Sequence, residues 1–444
     1  MKNIVASCIR IDDQGYGVIL DQNRLYRVPN LLPGEVAKIS IYSSGFGEVS
    51  ELVSSSPLRI KPKCRYFVAC GGCQLQHMDY QEQLSFKGQK IKNLLKQHGF
   101  PQEVYYEPIG MKNPEHYRNK AQMVITEKNR KVMAGFYKEQ THTVVNIDTC
   151  LIQNEAANQM IMTARKIMQE QRIPPYDEDK KIGLIRHFLI RTSRLTQTAL
   201  MVIVTSSEVF PGRNNFVKAI RQAHPEIETI IQNVNPRQTS IVLGDFERVL
   251  YGKGHIMDEL LGLKFKISSK TFYQINHRQT ENLYKKALEF AKPKPSDTVL
   301  DLYAGIGTIG LIFASRVKEV IGIDNNRQSV KNAIENARLN QVRHAKFYCA
   351  EVKDYLEAFV SEKKRVDIVV VDPPRDGLDP NTIQSILALK PTKIVYISCN
   401  PETLFRDLVM IKAEGYDIQH CQPVDMFPQT YHVETVVLIT RVNE

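Results

Sequence analysis

No apolar run in this 444-residue chain approaches the roughly 18 residues needed to cross a bilayer as a helix, and the N-terminus lacks the apolar core of a secretory signal. From those absences a cytoplasmic protein with no membrane partner is expected. Disulfides are scarce in that compartment, so clustered cysteines among the eight present are expected to hold a metal. Acidic residues also run short. The formal charge is +11, and between residues 59 and 131 there are 14 Lys or Arg against 6 Asp or Glu. Aromatics such as Tyr66, Phe86, Tyr105 and Tyr117 are interleaved there, and cations mixed with rings suit a polyanion with stackable bases. With 43% apolar residues and about 100–200 residues per domain, the length allows two or three packed cores.

Three segments differ in texture. Residues 1–56 alternate apolar and polar positions at 4–11, 17–20, 25–28 and 36–41, separated by turns, which predicts a small OB-like β-barrel. The turns Gly15-Tyr16-Gly17 and Leu32-Pro33-Gly34-Glu35 resemble the TRAM domain, which implies RNA binding. After the linker Ser54-Ser55-Ser56-Pro57, residues 57–264 mix strand-like runs (122–125, 143–147, 199–205, 229–232, 240–243) with helical ones (80–97, 154–171, 214–224), an α+β domain. Residues 265–444 alternate strands and helices as a parallel sheet does, with strands at 298–302, 319–323, 345–349, 367–371 and 393–397 and a closing pair at 424–426 and 434–440. The fold class is α/β, with a Rossmann-like C-terminal domain.

The central segment carries Cys64, Cys70, Cys73 and, far downstream, Cys150. Gly71 and Gly72 let the backbone wrap closely around a ligand held by the flanking thiolates. Four thiolates hold either zinc or an iron–sulfur cluster. Three cysteines within ten residues plus a distant one differ from the paired Cys-x-x-Cys of zinc ribbons, which favours a [4Fe–4S] cluster. Arg118 is a candidate contact for RNA phosphate.

Chemistry concentrates in the C-terminal segment. Asp301-Leu302-Tyr303-Ala304-Gly305-Ile306-Gly307 is a glycine turn between a strand and a helix, where the backbone approaches a cofactor. Asp324, 19 residues beyond Gly305, is placed to accept ribose hydroxyls. The spacing departs from the Gly-x-Gly-x-x-Gly of dinucleotide sites and favours S-adenosylmethionine. Asp372-Pro373-Pro374-Arg375 ends the fourth strand, at 367–371, with an arginine where enzymes acting on exocyclic amines carry an aromatic. Cys399, in Ser398-Cys399-Asn400-Pro401, closes the strand after that and is the candidate nucleophile, its pKa expected to be lowered by the helix that follows. Glu434 is the candidate base, with His432 a lesser one.

In this order the motifs, together with Phe272-Tyr273-Gln274-Ile275-Asn276 and Phe427 to Glu434, resemble the RNA 5-methyluridine methyltransferases over nearly the whole chain. The resemblance implies methylation of uridine C5, with Cys399 adding to uracil C6 and Glu434 removing the C5 proton. Gln274, Tyr303, Asp324 and Asp372 would line the S-adenosylmethionine site. The cysteine cluster and the barrel are similar to the branches acting on 23S rRNA, since the tRNA T-loop branch lacks both, so 23S rRNA is the expected partner; no protein partner is implied. Alternatives are the same reaction on a tRNA T-loop, cytosine C5 methylation, and an RNA-binding module without activity.

Overall fold

The computed structural model describes residues 1–139, 141–239, 241–362 and 364–442. Strands Lys2–Ile11, Gly17–Asp21, Arg24–Val28, Val36–Ile41 and Gly47–Ser54 pair into one antiparallel sheet in the order third, second, first, fourth, fifth. Alternate side chains such as Ile19, Val28, Ala37 and Ile39 enclose a core of their own. The outer strands approach each other at an Arg27–Phe46 bridge, where the Arg27 amide donates to the Gly45 carbonyl at 2.9 Å. This sheet is tied to the next segment by Arg59, which donates to the buried Glu35 carboxylate at 2.6 Å and to the Asn30 carbonyl at 2.7 Å.

A mixed seven-stranded sheet follows, ordered Phe246–Tyr251, Ile227–Val234, Ala199–Thr205, Ile185–Thr192, Lys120–Lys128, Lys131–Tyr137, Val144–Asn146. Helices Glu155–Glu170 and Arg213–Ala223 cover one face. On the other, Leu189, Leu200 and Val202 share a core with the hairpin His255–Leu260/Leu263–Ser268 and with the C-terminal sheet. The strand expected at 240–243 is not found: Ser240 lies outside the described residues, and 241–243 is irregular. There the Asn235 side-chain amide donates to the carbonyls of Ile241 and Val242 at 2.6 and 3.0 Å, taking the place of a strand partner. The strand lies further on, at Phe246–Tyr251.

The C-terminal sheet is ordered Ala345–Cys349, Glu319–Asp324, Thr298–Leu302, Ile368–Val371, Lys393–Ser398, Glu434–Arg441, Tyr416–Val424. Its first five strands are parallel and the last two antiparallel. Runs such as Ile368-Val369-Val370-Val371 are buried throughout because helices cover both faces. His277–Ala291, Thr308–Ala314 and Arg327–Leu339 pack in one core, and Val352–Ser361, Pro380–Ala388 and Pro401–Ala413 in the other. The penultimate strand was expected only at 424–426 but begins at Tyr416. Its polar residues and Pro423 obscure it in sequence; Pro423 is admitted because the strand is outermost in the sheet, and the buried Gln422 amide is satisfied by the Glu107 and Pro423 carbonyls at 2.7 and 2.9 Å.

Helix Tyr80–Gln97 precedes the central sheet in sequence yet packs on the C-terminal one, with Ile91 and Leu95 in the core of Leu404, Phe405 and Leu408. The same helix buries Gln83 and Lys87. Lys87 Nζ lies 2.5 Å from Asp425 Oδ1, both side chains wholly inaccessible, and also donates to the Phe427 carbonyl at 3.1 Å. Tyr80 adds a hydrogen bond to Asp425 at 2.7 Å. Gln83 exchanges two hydrogen bonds of 3.1 Å with Gln429, and the amides of Gln74 and Leu75 both donate to the Gln429 carbonyl at 3.0 Å. The segment leading into Glu434 is therefore held from outside its own sheet.

A buried charge left without its partner is costly. Lys87→Met is expected to lower the unfolding free energy by about 3–5 kcal/mol in urea titrations, and adding Asp425→Leu to recover much of that loss.

Candidate active site

The parallel strands of the C-terminal sheet end along one edge, and side chains from four of those ends meet there. Val371 lies opposite Tyr396, which puts Asp372 level with Ile397. Ser398 lies opposite Thr435, and the antiparallel pairing continued by one residue sets Cys399 against Glu434. Asn400 and Thr403 then draw in the proline loop, donating to the Arg375 carbonyl at 2.9 and 3.0 Å.

Glu434 is 3% exposed, and its Oε2 has no hydrogen-bond partner among the described residues. Burial and the facing Asp372 push its carboxyl up, with Arg375 opposing; burial raises Asp372 as well. Two carboxyls in one poorly solvated site favour holding a proton. The Cys399 thiol is pushed up to about 11 by burial and by Glu434 and Asp372, against Arg375. This overturns the expectation of a thiol activated by the following helix. Helix Pro401–Ala413 does begin there, capped by Asn400, but the half-charge of a helix start is outweighed by burial beside two carboxyls. His432 is held down at about 4 by burial and by the cations Arg375, Lys87, Lys90 and Arg118, so it is neutral at pH 7 and a weak base.

On the glycine turn, the Asp324 carboxylate accepts from the Gly305 amide at 2.9 Å and the Asn326 amide at 2.8 Å. Gly307 adopts φ 79°, and a side chain there would strike Phe347 at 2.7 Å. A Cβ at Gly305 meets nothing within 4 Å, so the turn faces open space. The Tyr303 backbone belongs to the turn, but its hydroxyl lies near Asp379 and Thr382 of the neighbouring helix. Gln274 reaches the site from ahead of helix His277–Ala291, its carbonyl accepting from Asn119 at 3.0 Å.

Two further residues join this group. The buried Tyr284 hydroxyl lies beside Gln274 and Thr308 and faces the carboxyls of Asp372 and Glu434. At helical spacing with Leu283 and Ala287 it reads in sequence as core. Asp301, fully buried, accepts from the Gly310 amide at 2.8 Å, and its Oδ1 is unpartnered among the described residues. Burial, with repulsion from Asp372 and Asp324, pushes it up to about 8. Its position within an apolar strand was the available signal.

Cys64, Cys70, Cys73 and Cys150 line one cavity of about 850 Å³. Burial and the neighbouring thiols push Cys70 up to about 11 and Cys73 to about 12. Among the described residues, no three of His, Cys, Asp and Glu are disposed about one point as ligands of a single ion. A second cavity, of about 540 Å³, opens on the Arg375 side of the site. It is walled by His432 and Tyr431, by Gly72 and Gln74 of the cysteine loop, by Arg118, and by Tyr16 of the N-terminal sheet.

Residues 79–442 match the profile of the tRNA (uracil-5-)-methyltransferases. The chain belongs to that family. It is similar to an uncharacterised RNA methyltransferase of Halalkalibacterium halodurans, 39% identical over 450 residues that span all of this chain and 98% of the relative. A Staphylococcus epidermidis RNA methyltransferase is 39% identical over 442 residues, 98% of this chain and 97% of that one. Among solved structures it resembles the Pyrococcus abyssi tRNA (uracil-54, C5)-methyltransferase in complex with S-adenosyl-L-homocysteine, at a TM-score of 0.79 and 28% identity over 98% of this chain and 100% of that one. The fold is thus the α/β methyltransferase fold of the family. Because a tRNA enzyme aligns over 98% of this chain, the presence of N-terminal parts does not by itself exclude tRNA as substrate, contrary to expectation.

A thiol titrating near 11 is mostly protonated at neutral pH. Alkylation of Cys399 by iodoacetamide, followed by peptide mass spectrometry, is expected to accelerate about tenfold per pH unit from pH 7 to 9 without levelling off. A plateau below pH 8 would mean that the thiolate is already stabilised in the free protein.

Proposed function

We propose that this protein methylates C5 of uridine in RNA with S-adenosylmethionine as methyl donor. The observation that carries the reading is the meeting of Cys399, Glu434 and Asp372 at adjoining strand ends, with one Glu434 oxygen buried and unpartnered. The family and the Pyrococcus abyssi complex support the reaction class and the donor. The open space before Gly305, flanked by Asp324, suits the donor, with Gln274 and Tyr284 at the reacting end and Tyr303 lending its backbone.

The chemistry follows from the ring. Uracil C5 is a weak nucleophile until something adds at C6. Cys399, as thiolate, forms a bond to C6, and the electron pair of the C5–C6 double bond moves onto C5 and the C4 carbonyl. The donor, when bound, supplies an electrophilic methyl group on a sulfonium, whose positive charge also offsets the surrounding carboxylates. Glu434 then accepts the C5 proton, the C6–sulfur bond breaks, and the double bond and the Cys399 thiolate are restored. Asp372 contacts the uracil edge. Reaching a ring from both sides requires it to leave its stack, and the 540 Å³ cavity beside Arg375 suits an extruded nucleotide.

The N-terminal sheet, read as a TRAM-like barrel, and the cysteine segment serve RNA binding. Cys64, Cys70, Cys73 and Cys150 would hold a [4Fe–4S] cluster: four soft donors share one cavity, and a cationic metal centre would offset the repulsion that their thiolate forms would otherwise feel there. On the strength of the cysteines the substrate is 23S rRNA. A second reading, a tRNA uridine, is favoured by the likeness to the Pyrococcus abyssi enzyme.

Mapping 5-methyluridine by mass spectrometry in 23S rRNA and tRNA, from cells with and without this gene, separates the two: loss of a 23S mark is expected, and loss of a tRNA mark alone would leave the reaction and overturn the substrate. Cys399→Ala is expected to abolish methyl transfer. Glu434→Gln is expected to accumulate protein joined through Cys399 to methylated RNA, visible as a denaturant-resistant complex; its absence would remove Glu434 as the base. Anaerobically purified protein is expected to contain iron, and stoichiometric zinc in its place would refute the cluster.

A further inference from the structure

The 850 Å³ cavity extends well beyond its cysteines. Strand Lys120–Lys128 turns alternate side chains into it, Lys120, Gln122 and Val124, and His187 stands opposite Val124 on the neighbouring strand. From Lys120 to Val124 the wall runs about 13 Å. Val124 also pairs with Gly135, and two residues further along that strand Tyr137 turns to the same side and lines the cavity. Helices cover the opposite face of this sheet, and on this face the cavity is walled by the cysteine loop and by Ile147, Leu151 and Ile241.

The lining is not that of a packing defect. His187 is 8% exposed with no partner for Nδ1 among the described residues, Gln153 is 4% exposed with none for Oε1, and Arg118 has none for Nε. Buried polar groups are nearly always paired, so three orphans lining one cavity point to an absent polar ligand. Lys120 makes no ion pair among the described residues; of the two acids lining the cavity, Glu178 is neutralised by Arg186 at 2.7 Å, and Asp179 lies exposed near Tyr137, away from Lys120. Two cations therefore stand uncompensated at the end nearer Arg118, followed inward by amides, an imidazole and the Tyr137 ring. That order matches a nucleotide, its phosphate at Arg118 and Lys120 and its base against Tyr137, with Gln122 and His187 at its edge. Arg118 and Gly72 line both this cavity and the 540 Å³ cavity beside Arg375, so the two adjoin.

We infer that this cavity is a second nucleotide-binding site, which takes a nucleotide flanking the target uridine of the same RNA. The inference rests on the reading of the protein as an RNA uridine methyltransferase. Substrate choice then depends on two extruded nucleotides at a set spacing, one modified and one only held.

The chain contains no tryptophan, so Tyr137→Trp installs a single fluorescent reporter in the cavity wall. The full chain carrying it would be titrated with 23S rRNA and with tRNA from cells lacking the gene, and methyl transfer from labelled S-adenosylmethionine followed in parallel. The expected result is quenching by the RNA that becomes methylated. In an independent variant, Gln122→Phe fills the cavity and is expected to raise KM for RNA about tenfold while leaving KM for the methyl donor unmoved. Methylation without quenching, or an unchanged KM for RNA in Gln122→Phe, would overturn the second site and leave the uridine reading standing. Quenching without methylation of either RNA would keep the site and sink that reading. Neither signal with either RNA would remove both.

Discussion

The ion pair between Lys87 and Asp425 is the contact on which the rest of the arrangement depends. Neither charge is tolerable alone where no water reaches it, so each holds the other, and with them a helix from the first quarter of the chain and a loop from its last twenty residues. That loop runs directly into Glu434. Gln83 and the Gln74 and Leu75 amides grip Gln429 at its middle, where the backbone takes a left-handed conformation. The Tyr117 hydroxyl adds a bond to the Pro428 carbonyl at 3.0 Å. The proposed base is thus set by residues outside the methyltransferase sheet. Because Gln74 directly follows Cys73, the proposed cluster would, if held there, stiffen one jaw of this grip, a structural role that asks for no electron transfer.

The electrostatics of the site are those of a chain prepared for a positive ligand. Asp301, Asp372 and Glu434 converge on one sheet edge with the Cys399 thiol, and Arg375 opposes Glu434 and the thiol there. Carboxyls held together away from water resist ionising, and a thiol among them resists it too. Under the proposed function, such a site would gain its working charge state when a sulfonium enters, which would couple donor binding to activation of the proposed nucleophile. Arg118 and His432 lie on the other side, toward the cysteine loop, where the surroundings turn cationic and suit a phosphate backbone.

Much of this could be read from local pattern. The parallel strands of the C-terminal sheet stood out because β-branched runs buried on both faces are apolar throughout, and the helix at 80–97 because of its spacing and its His98-Gly99 stop. Cys399, Glu434, Asp372 and Asp324 were accessible because each sits at a strand end beside a breaker or within a short motif. The strand Tyr416–Val424 pairs with Glu434–Arg441 but lacks an apolar alternation, and residues 241–243 are apolar yet meet an asparagine side chain in place of a strand, so neither shows its structure in a periodic signal.

Sequence by itself determined which residues are chemically able to act and the order of the sheets, since both follow from residue type and short-range periodicity. Only the tertiary structure decided their charge states and their company. The Cys399 thiol is raised and not lowered because the carboxyls beside it come from strands 27 residues before it and 35 after it, and burial is a property of the assembled fold. Tyr284, Gln83 and Lys87 read as ordinary helix positions until packing turned them inward. Likewise the cavity beside the buried His187 exists only because the cysteine loop and the residues around Ile241 come to lie across this sheet face.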